Sequence, residues 1–410
     1  MATADAANTG AEGRCSPREY RTLDAWRGIA ALWVVLYHAT ADWRQAPEIR
    51  HGAGWLLDVV SEYGWLGVQL FFVISGYCIA ATADSCRRKD HGASLYCKRR
   101  FVRIFPTYAV WLLLLSGALL AAEWLWPDAA IWTRKSHFSS IRSMHPIEWL
   151  SNLALVQTWL PRLCGLETIN VTAVGWTLCY EVQFYAVVAA IIVIAPRQLF
   201  GASALVTAAM LMLFAVLPTL HWMRYVDGMF LDGRWIQFAT GIGVYYALVH
   251  ASPSGRRIVL ALLAALTAGC FWQTGSEFVM RDKRIFEIGF CSAFAILLVV
   301  LKPGELRWSG LRPVSLLSAI GVWSYSLYLV HWPFCKITAS FAWRAGLRST
   351  AATWMLTVPV CVVLSLLAAA VYFRCVERRF LNAPLRMASL EPANSNAPAV
   401  TARVPDPAGA

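Results

Sequence analysis

Ten apolar blocks, each 17 to 22 residues long, make up half of this chain of 410 residues. An α-helix needs about 20 apolar residues to cross the ~30 Å hydrocarbon core of a bilayer. Only 15% of the residues are charged, compared with about a quarter in soluble domains. We therefore predict an all-α, polytopic integral membrane helix bundle with about ten transmembrane helices. The blocks are residues 22–41, 63–83, 103–123, 174–195, 199–219, 229–249, 257–273, 284–302, 314–335 and 352–373.

The placement of charge predicts how these helices are oriented. Basic residues cluster at the N-terminal flank, in the second connection and at alternate connections after it, whereas the first loop, 42–62, is net acidic. Because basic loops stay on the cytoplasmic side, we expect both termini in the cytoplasm and a multi-pass protein of the cell (inner) membrane. The net charge of +12 is then mostly a topology signal, and no nucleic acid partner is expected.

The chain divides into one membrane domain and two terminal segments. Residues 1–20 predict a cytoplasmic N-terminal segment without a cleavable signal, and residues 21–380 predict the transmembrane domain. The long outer loop, 124–173, contains an apolar stretch, 147–160, that is too short to span and predicts an interfacial or re-entrant helix. Residues 381–410, rich in Ala, Pro and Asn, predict a disordered cytoplasmic tail.

The first block contains a charged and a titratable residue, Arg27 and His38, and both are costly inside a bilayer. Eleven positions at 100° each bring the two side chains to nearly the same helix face, roughly 16 Å apart along the axis at ~1.5 Å per residue. One residue can therefore meet a ligand near one membrane surface while the other acts deeper along the same path. Asp24 is placed either to pair with Arg27 or to cap the helix.

Polar residues are concentrated in five segments of the predicted spans. The first segment carries Arg27 and His38, and the second carries Ser75 and Gly76, whose small size lets helices approach closely. A helix that only anchors the chain would have few such residues, so these segments carry the functional signal. The five are residues 23–38, 67–77, 98–106, 175–185 and 324–333.

Taken together and in this order, the five segments resemble the membrane-bound acyltransferase family 3, which includes O-acetyltransferases of bacterial O-antigen, exopolysaccharide and Nod-factor sugars. The resemblance covers roughly residues 20–380, and its most specific parts are the Arg-x10-His helix and the segment that ends in Ser75 and Gly76. Thr177 stands where the family more often has serine, and Tyr77 where phenylalanine is frequent. Neither departure removes a chemical group that acyl transfer needs.

The resemblance implies an enzyme that transfers acyl groups other than amino-acyl groups. The donor is then acetyl-CoA or another acyl-CoA, and the acceptor is a hydroxyl of a glycan or lipid-linked sugar within reach of the membrane lipids. The acylated hydroxyl and the acyl group stay open at this point.

Four arginines fall near the cytoplasmic surface in the predicted topology. Guanidinium groups bind phosphates through charge-assisted, often bidentate hydrogen bonds, so this inner cluster is expected to bind the nucleotide phosphates of acyl-CoA. For Arg99 and Arg100, beside the basic loop 87–100, a role as topology signals is the simpler interpretation. The inner cluster consists of Arg27, Arg103, Arg99 and Arg100.

Three titratable residues are expected in the outer half of the membrane, namely His38, Glu181 and His331. A neutral histidine can take a proton from a sugar hydroxyl as that hydroxyl attacks the thioester, and Glu181 is expected to orient His38 and stabilise its cationic form. His38 can instead serve as a nucleophile in an acyl-histidine relay. Structural roles for Glu181 and His331 are the alternatives.

A competing function is a transporter or flippase that uses the same polar residues as a path for a proton or a sugar-linked substrate. The chain has no visible internal repeat and no Gly/Pro-interrupted helix pair, which argues against this class. A membrane sensor or scaffold would not require a titratable outer cluster. The eleven cysteines include no Cys-x-x-Cys pair, so no metal site is expected.

Overall fold

The computed structural model describes residues 20–46, 54–126, 140–216, 227–274 and 283–381. Within these ranges the chain forms helices and connecting turns and no strand, which confirms the predicted all-α class. The predicted N-terminal segment, apart from Tyr20, and the predicted tail, apart from Leu381, lie outside the described residues.

Thirteen helices of eight or more residues lie in the described ranges. They are α1 Leu23–Ala39, α2 Trp55–Glu62, α3 Gly67–Cys86, α4 Gly92–Leu125, α5 Pro146–Ala154, α6 Gly175–Ile194, α7 Leu199–Val216, α8 Arg234–Val249, α9 Pro253–Thr274, α10 Lys283–Leu301, α11 Arg312–Val322, α12 Ser324–Arg344 and α13 Val358–Tyr372. Shorter helical turns cover Ala41–Arg44, Gly64–Leu66, Leu160–Leu163, Pro196–Gln198, Phe230–Asp232, Lys302–Gly304, Glu305–Ser309, Thr350–Ala352, Thr353–Thr357, Phe373–Glu377 and Arg378–Leu381.

Seven helical segments in the described ranges are long and apolar enough to cross a membrane, and an eighth is added if the bent pair α11 and α12 is one span. The chain is therefore a multi-pass membrane protein. The predicted count of ten is not reached because α1 has 17 residues and α8 has 16, fewer than the ~20 a perpendicular span needs. The seven segments are Gly64–Cys86, Gly92–Leu125, Gly175–Ile194, Pro196–Val216, Pro253–Thr274, Lys283–Ser309 and Thr350–Leu381.

Two of the predicted boundaries differ from the structure. The block predicted as one span over 314–335 is two helices, α11 and α12, which meet at Trp323 with a bend of 77°. The basic loop predicted over 87–100 is mostly helical, because α4 begins at Gly92. Arg99 and Arg100 consequently lie on the first turns of α4 and not in a loop.

The helix α1 lies in the centre of the bundle, packed against α11, α3 and α12. The contact between α1 and α11 depends on two glycines, since a Cβ on Gly28 would overlap the backbone oxygen of Leu317 and one on Gly321 would overlap that of Asp24. A Cβ on Gly76 would likewise overlap the backbone of α8, which confirms the close packing predicted for the second segment. Small residues at these crossings bring polar side chains of three helices near one another.

The apolar stretch predicted as one interfacial or re-entrant helix, 147–160, forms α5 and a turn that leads into a second short helix. Buried Asn152 connects α5 to the segment before α6. Its Nδ2 donates to the carbonyl oxygen of Ile169 at 2.8 Å, and its Oδ1 accepts from the backbone N–H of Val171 at 3.0 Å. The hydroxyl of Tyr108 on α4 donates to the Asn152 carbonyl at 2.9 Å, so polar contacts hold this segment to the bundle.

Candidate active site

A cavity of about 610 Å³ opens between the start of α1, the end of α3 and the first turns of α4. All four arginines of the predicted inner cluster lie in its wall, which brings together residues that are distant in the sequence. We call this cavity the vestibule. Its polar lining residues are Tyr20, Asp24, Arg27, Tyr77, Cys78, Thr82, Arg99, Arg100 and Arg103.

The vestibule arginines differ in how their charge is compensated. Arg27 donates to Asp24 Oδ1 at 2.7 Å and to Cys78 Sγ at 3.0 Å, so the predicted pairing with Asp24 is confirmed. Arg103 donates to Glu377 Oε1 at 3.0 Å. Both guanidinium groups therefore have a carboxylate partner.

Arg99 and Arg100, in contrast, contact neutral groups. Arg99 lies 3.6 Å from Cys86 Sγ, and Arg100 donates to the hydroxyl of Thr82 and lies over the ring of Tyr185. Among the described residues, no carboxylate lies within ion-pair distance of either guanidinium. Their uncompensated charge suits an anionic ligand, which makes them stronger candidates for phosphate binding than the sequence indicated.

A smaller cavity of about 120 Å³ continues from the vestibule into the bundle. The two cavities share Arg27, Cys78, Arg100 and Arg103, so these four residues surround the passage between them. The far end of the inner cavity is apolar and aromatic, with Phe71 among its lining residues. A polar entrance and an apolar interior suit an elongated ligand with a charged head and a thinner arm.

Glu181 faces this inner cavity. Its Oε1 accepts from the hydroxyls of Ser75 at 2.7 Å and Tyr185 at 2.6 Å. The expected pairing of Glu181 with His38 is therefore not what the structure contains. The physical reason is that Glu181 lies on the face of α6 that meets α3, next to the cationic passage, where Arg27 and Arg100 also line the cavity.

His38 is instead next to His331, with their ring centroids 5.3 Å apart. The structure thus brings together two of the three residues predicted for the outer cluster. His331 is 1% exposed, and its Nδ1 lies 2.9 Å from the carbonyl oxygen of Leu327. Because a carbonyl can only accept, Nδ1 carries the hydrogen and Nε2 of the neutral ring keeps its lone pair. Nε2 is buried and has no hydrogen-bond partner among the described residues.

Several residues of this site were not singled out by the sequence. Cys78 follows Ser75 by one helical turn on α3, so helical spacing could have indicated it. Glu377, which is 1% exposed and accepts from Ser326 Oγ at 2.6 Å, lies among basic residues after the last apolar block. Its surroundings in the sequence suggested only a topology signal. Among the described residues, no group of three or more His, Cys, Asp or Glu side chains could hold a metal ion.

The fold and these cavities define a multi-pass membrane protein with a cationic vestibule, an inner cavity next to it, and a histidine pair beyond that cavity. Residues 20–374 match the acyltransferase family 3 model, described as an acyltransferase domain. The chain belongs to this family, and the resemblance predicted from the five segments is confirmed.

Curated relatives carry the same class of name. Over 328 residues, 76% of this chain and 72% of the relative, the chain is 28% identical to BcsY of Komagataeibacter xylinus, whose name describes a membrane-bound transacylase. It is 24% identical over 358 residues to the O-acetyltransferase OatA of Staphylococcus aureus (strain NCTC 8325 / PS 47), matching 80% of this chain and 52% of OatA. The chain thus spans about half the length of OatA. No solved structure matches it significantly.

Proposed function

We propose that this protein is an integral-membrane O-acyltransferase that moves an acyl group, acetyl in the first instance, from acyl-CoA to a hydroxyl of a glycan or glycolipid. The observation that carries the proposal is that a vestibule lined by four arginines adjoins an inner cavity, one of whose lining residues, Tyr328, contacts His331. The acceptor would be an exopolysaccharide, an O-antigen or a similar oligosaccharide. Family membership and the names of BcsY and OatA support the acyl-transfer chemistry.

The vestibule would bind the phosphates of acyl-CoA. Arg99 and Arg100 are the first candidates for phosphate contacts because neither is neutralised by a carboxylate in the described part of the chain. Arg27 and Arg103, held by Asp24 and Glu377, would line the entrance through which the pantetheine arm passes. Guanidinium forks fit phosphate oxygens in a bidentate manner, which gives orientation as well as attraction.

The histidine pair would perform the proton transfer. His38, which is half-buried, would take the proton of the acceptor hydroxyl while the hydroxyl oxygen attacks the thioester carbonyl. The new C–O bond forms as the C–S bond breaks, and the thiolate of CoA leaves with the proton returned from His38. The lone pair on His331 Nε2 would orient His38, the role first assigned to Glu181, and would stabilise its cationic form.

An acyl-histidine relay differs from this route in one observable respect. In a relay His38 would carry the acyl group covalently after CoA has left and before the acceptor binds. Incubation of the protein with radiolabelled acetyl-CoA, without acceptor, followed by rapid gel filtration at neutral pH, tests this directly. We expect no acyl label bound to the protein when His38 is a general base.

The proposal includes a topology. Ten spans, counting α1 and α8 with the longer helices, would place both termini in the cytoplasm and the vestibule on the cytoplasmic side of the cell inner membrane. The charge distribution supports this orientation. Acyl-CoA would then enter from the cytoplasm, and the histidine pair would meet the acceptor in the outer half of the membrane. Cysteine-accessibility labelling at Cys97 and Cys164, which are both exposed, should find them on opposite sides.

Calorimetric titration of the detergent-purified protein with acetyl-CoA tests the donor assignment. We expect saturable binding, and we expect Arg100→Gln to raise the Kd for acetyl-CoA about tenfold. A tenfold change in Kd corresponds to a loss of ~1.4 kcal/mol of binding free energy. Arg257→Gln is the matched control, because Arg257 is on α9, away from the vestibule, and within the described ranges its hydrogen bond goes to the carbonyl of Pro253. Equal affinity for acetyl-CoA in the wild type and Arg100→Gln would refute the phosphate role. Translocation of a sugar substrate without acylation would favour a transporter.

A further inference from the structure

The inner cavity ends before it reaches the histidine pair. Along each helix of its wall, the lining residues stop on the far side from the arginines, at Val68 on α3, Thr177 on α6 and Tyr328 on α12. Phe71, one helical turn from Val68, also lines this end and packs on Tyr328. His331 lies one helical turn beyond Tyr328 on α12 and does not line the cavity. An aromatic layer therefore separates the donor cavity from the histidine pair.

The rings of Phe71 and Tyr328 form this layer, and hydrogen bonds of the Tyr328 hydroxyl fix its position. The ring of Phe71 packs edge-on against Tyr328 with centroids 5.8 Å apart, and Tyr328 contacts His331 on its other side at 5.9 Å. The hydroxyl of Tyr328 lies 2.8 Å from the Thr177 hydroxyl and 3.2 Å from the Val174 carbonyl oxygen. Tyr328 is thus fixed from α6 while its ring stands between the cavity and His331.

We propose that Phe71 and Tyr328 form an end wall that sets the length of the acyl group this enzyme accepts. The proposal rests on the proposed function, since it assumes that the acyl group of acyl-CoA enters the inner cavity. The cavity holds only about 120 Å³, so a short acyl group fits ahead of the wall and a longer chain meets the two rings. Swinging of Tyr328 away from Thr177 would then admit the short group to His331 and His38.

The wall is built to discriminate by size. An apolar pocket usually discriminates between substrates that differ by one methylene by a factor of roughly 10 to 200. The end residues here are apolar apart from the hydroxyls of Thr177 and Tyr328, which are hydrogen-bonded to each other. Phe71 has no polar partner to lose, so shortening it enlarges the cavity without leaving a buried polar group unsatisfied. Phe71 is therefore the residue whose substitution tests the wall most cleanly.

The experiment measures affinities of the detergent-purified protein for acetyl-CoA, butyryl-CoA and hexanoyl-CoA. We expect the wild type to prefer acetyl-CoA and Phe71→Ala to improve the ratio of hexanoyl-CoA to acetyl-CoA affinity by at least about tenfold. Phe294→Ala is the matched control, because Phe294 is equally apolar, 5% exposed, packed on Trp26 and outside the cavity wall. Phe71→Leu, a smaller change, replaces Phe71→Ala if the latter does not fold.

The outcomes separate the wall from the proposed function. If the wild type binds acetyl-CoA but Phe71→Ala and Phe71→Leu keep the wild-type ratio, the wall is refuted and the acyltransferase proposal stands. If the wild type binds none of the three acyl-CoA esters, both proposals fall. An equal change of the hexanoyl-CoA to acetyl-CoA affinity ratio in Phe294→Ala would also refute the end-wall proposal, because it would show that the bundle has loosened in general.

Discussion

The ring centroids of His38 and His331 lie 5.3 Å apart, beyond the aromatic residues at the far end of the inner cavity. His38 comes from the first helix of the bundle and His331 from a helix near the C-terminal end of the described chain. The hydrogen bond from His331 Nδ1 to Leu327 fixes which ring nitrogen is free to act on its neighbour. We expect this pairing to supply the proton transfer in the proposed reaction.

Removal of either ring should therefore lower the rate of acyl transfer. We expect His38→Ala to lower the rate by about 10²- to 10⁴-fold, the usual contribution of a general base, and His331→Ala to lower it by a smaller factor. His91→Asn is a suitable control, because His91 is exposed and has a positive φ of 56° that asparagine tolerates. Acylated product is counted by mass spectrometry, and retained acylation in a well-inserted His38→Ala protein would exclude the assigned role.

The pair of Arg103 and Glu377 should stabilise the fold beyond any role in donor binding. Arg103→Gln leaves Glu377, which is 1% exposed, without its cationic partner, at a cost of about 1–3 kcal/mol, below the fully buried case because Arg103 is partly exposed. Glu377→Gln in the same chain should recover part of this loss. Thermal unfolding in detergent measures both variants, and a double variant no more stable than Arg103→Gln would contradict the coupling.

Glu181→Gln should change donor binding more than proton transfer. The substitution keeps the size of the side chain and removes a negative charge beside the cationic passage. Acetyl-CoA should then bind more tightly, by up to about tenfold, while the pH dependence of the turnover keeps its shape. Had Glu181 been the partner of His38, the pH profile would shift instead. Titration calorimetry and a pH–rate series on the same preparation distinguish these results.

Gly28→Ala should disturb the site through the backbone. A Cβ at this position would overlap the Leu317 backbone oxygen, so α1 must move away from α11 and carry Arg27 with it. We expect a lower unfolding temperature and weaker binding of acetyl-CoA. Gly117→Ala is the control, since a Cβ there meets no other atom within 4 Å and should leave stability unchanged or raise it slightly. Equal unfolding temperatures for the two variants would count against the tight crossing.

Some of this architecture follows from the sequence alone. Apolar block length predicted the helices, and helical spacing placed Arg27 and His38 on one element. Side-chain size predicted the close packing at Gly76. These inferences succeed because they depend on interactions within one helix or on the local backbone.

The lateral neighbours of the polar residues could not be predicted in the same way. Glu181 and His331 were both expected near His38, and only the packing of α6 and α12 decides which one lies beside it. The break at Trp323 also escaped prediction, because residues on both sides are apolar enough for one continuous span. The carboxylate partner of Arg103, Glu377 in a turn after α13, was not predicted either. Apart from the break at Trp323, these differences concern contacts between segments that are distant in the sequence.

The most direct test of acyl transfer through His38 is mass spectrometry of surface glycans from three otherwise identical strains. One strain carries the wild-type gene, one carries His38→Ala expressed at the same level, and one lacks the gene. The account predicts glycans heavier by one acyl unit, an acetyl in the first instance, in the wild-type strain and unmodified glycans in the other two. The same added mass in the His38→Ala strain, or no difference between wild type and deletion, would contradict it.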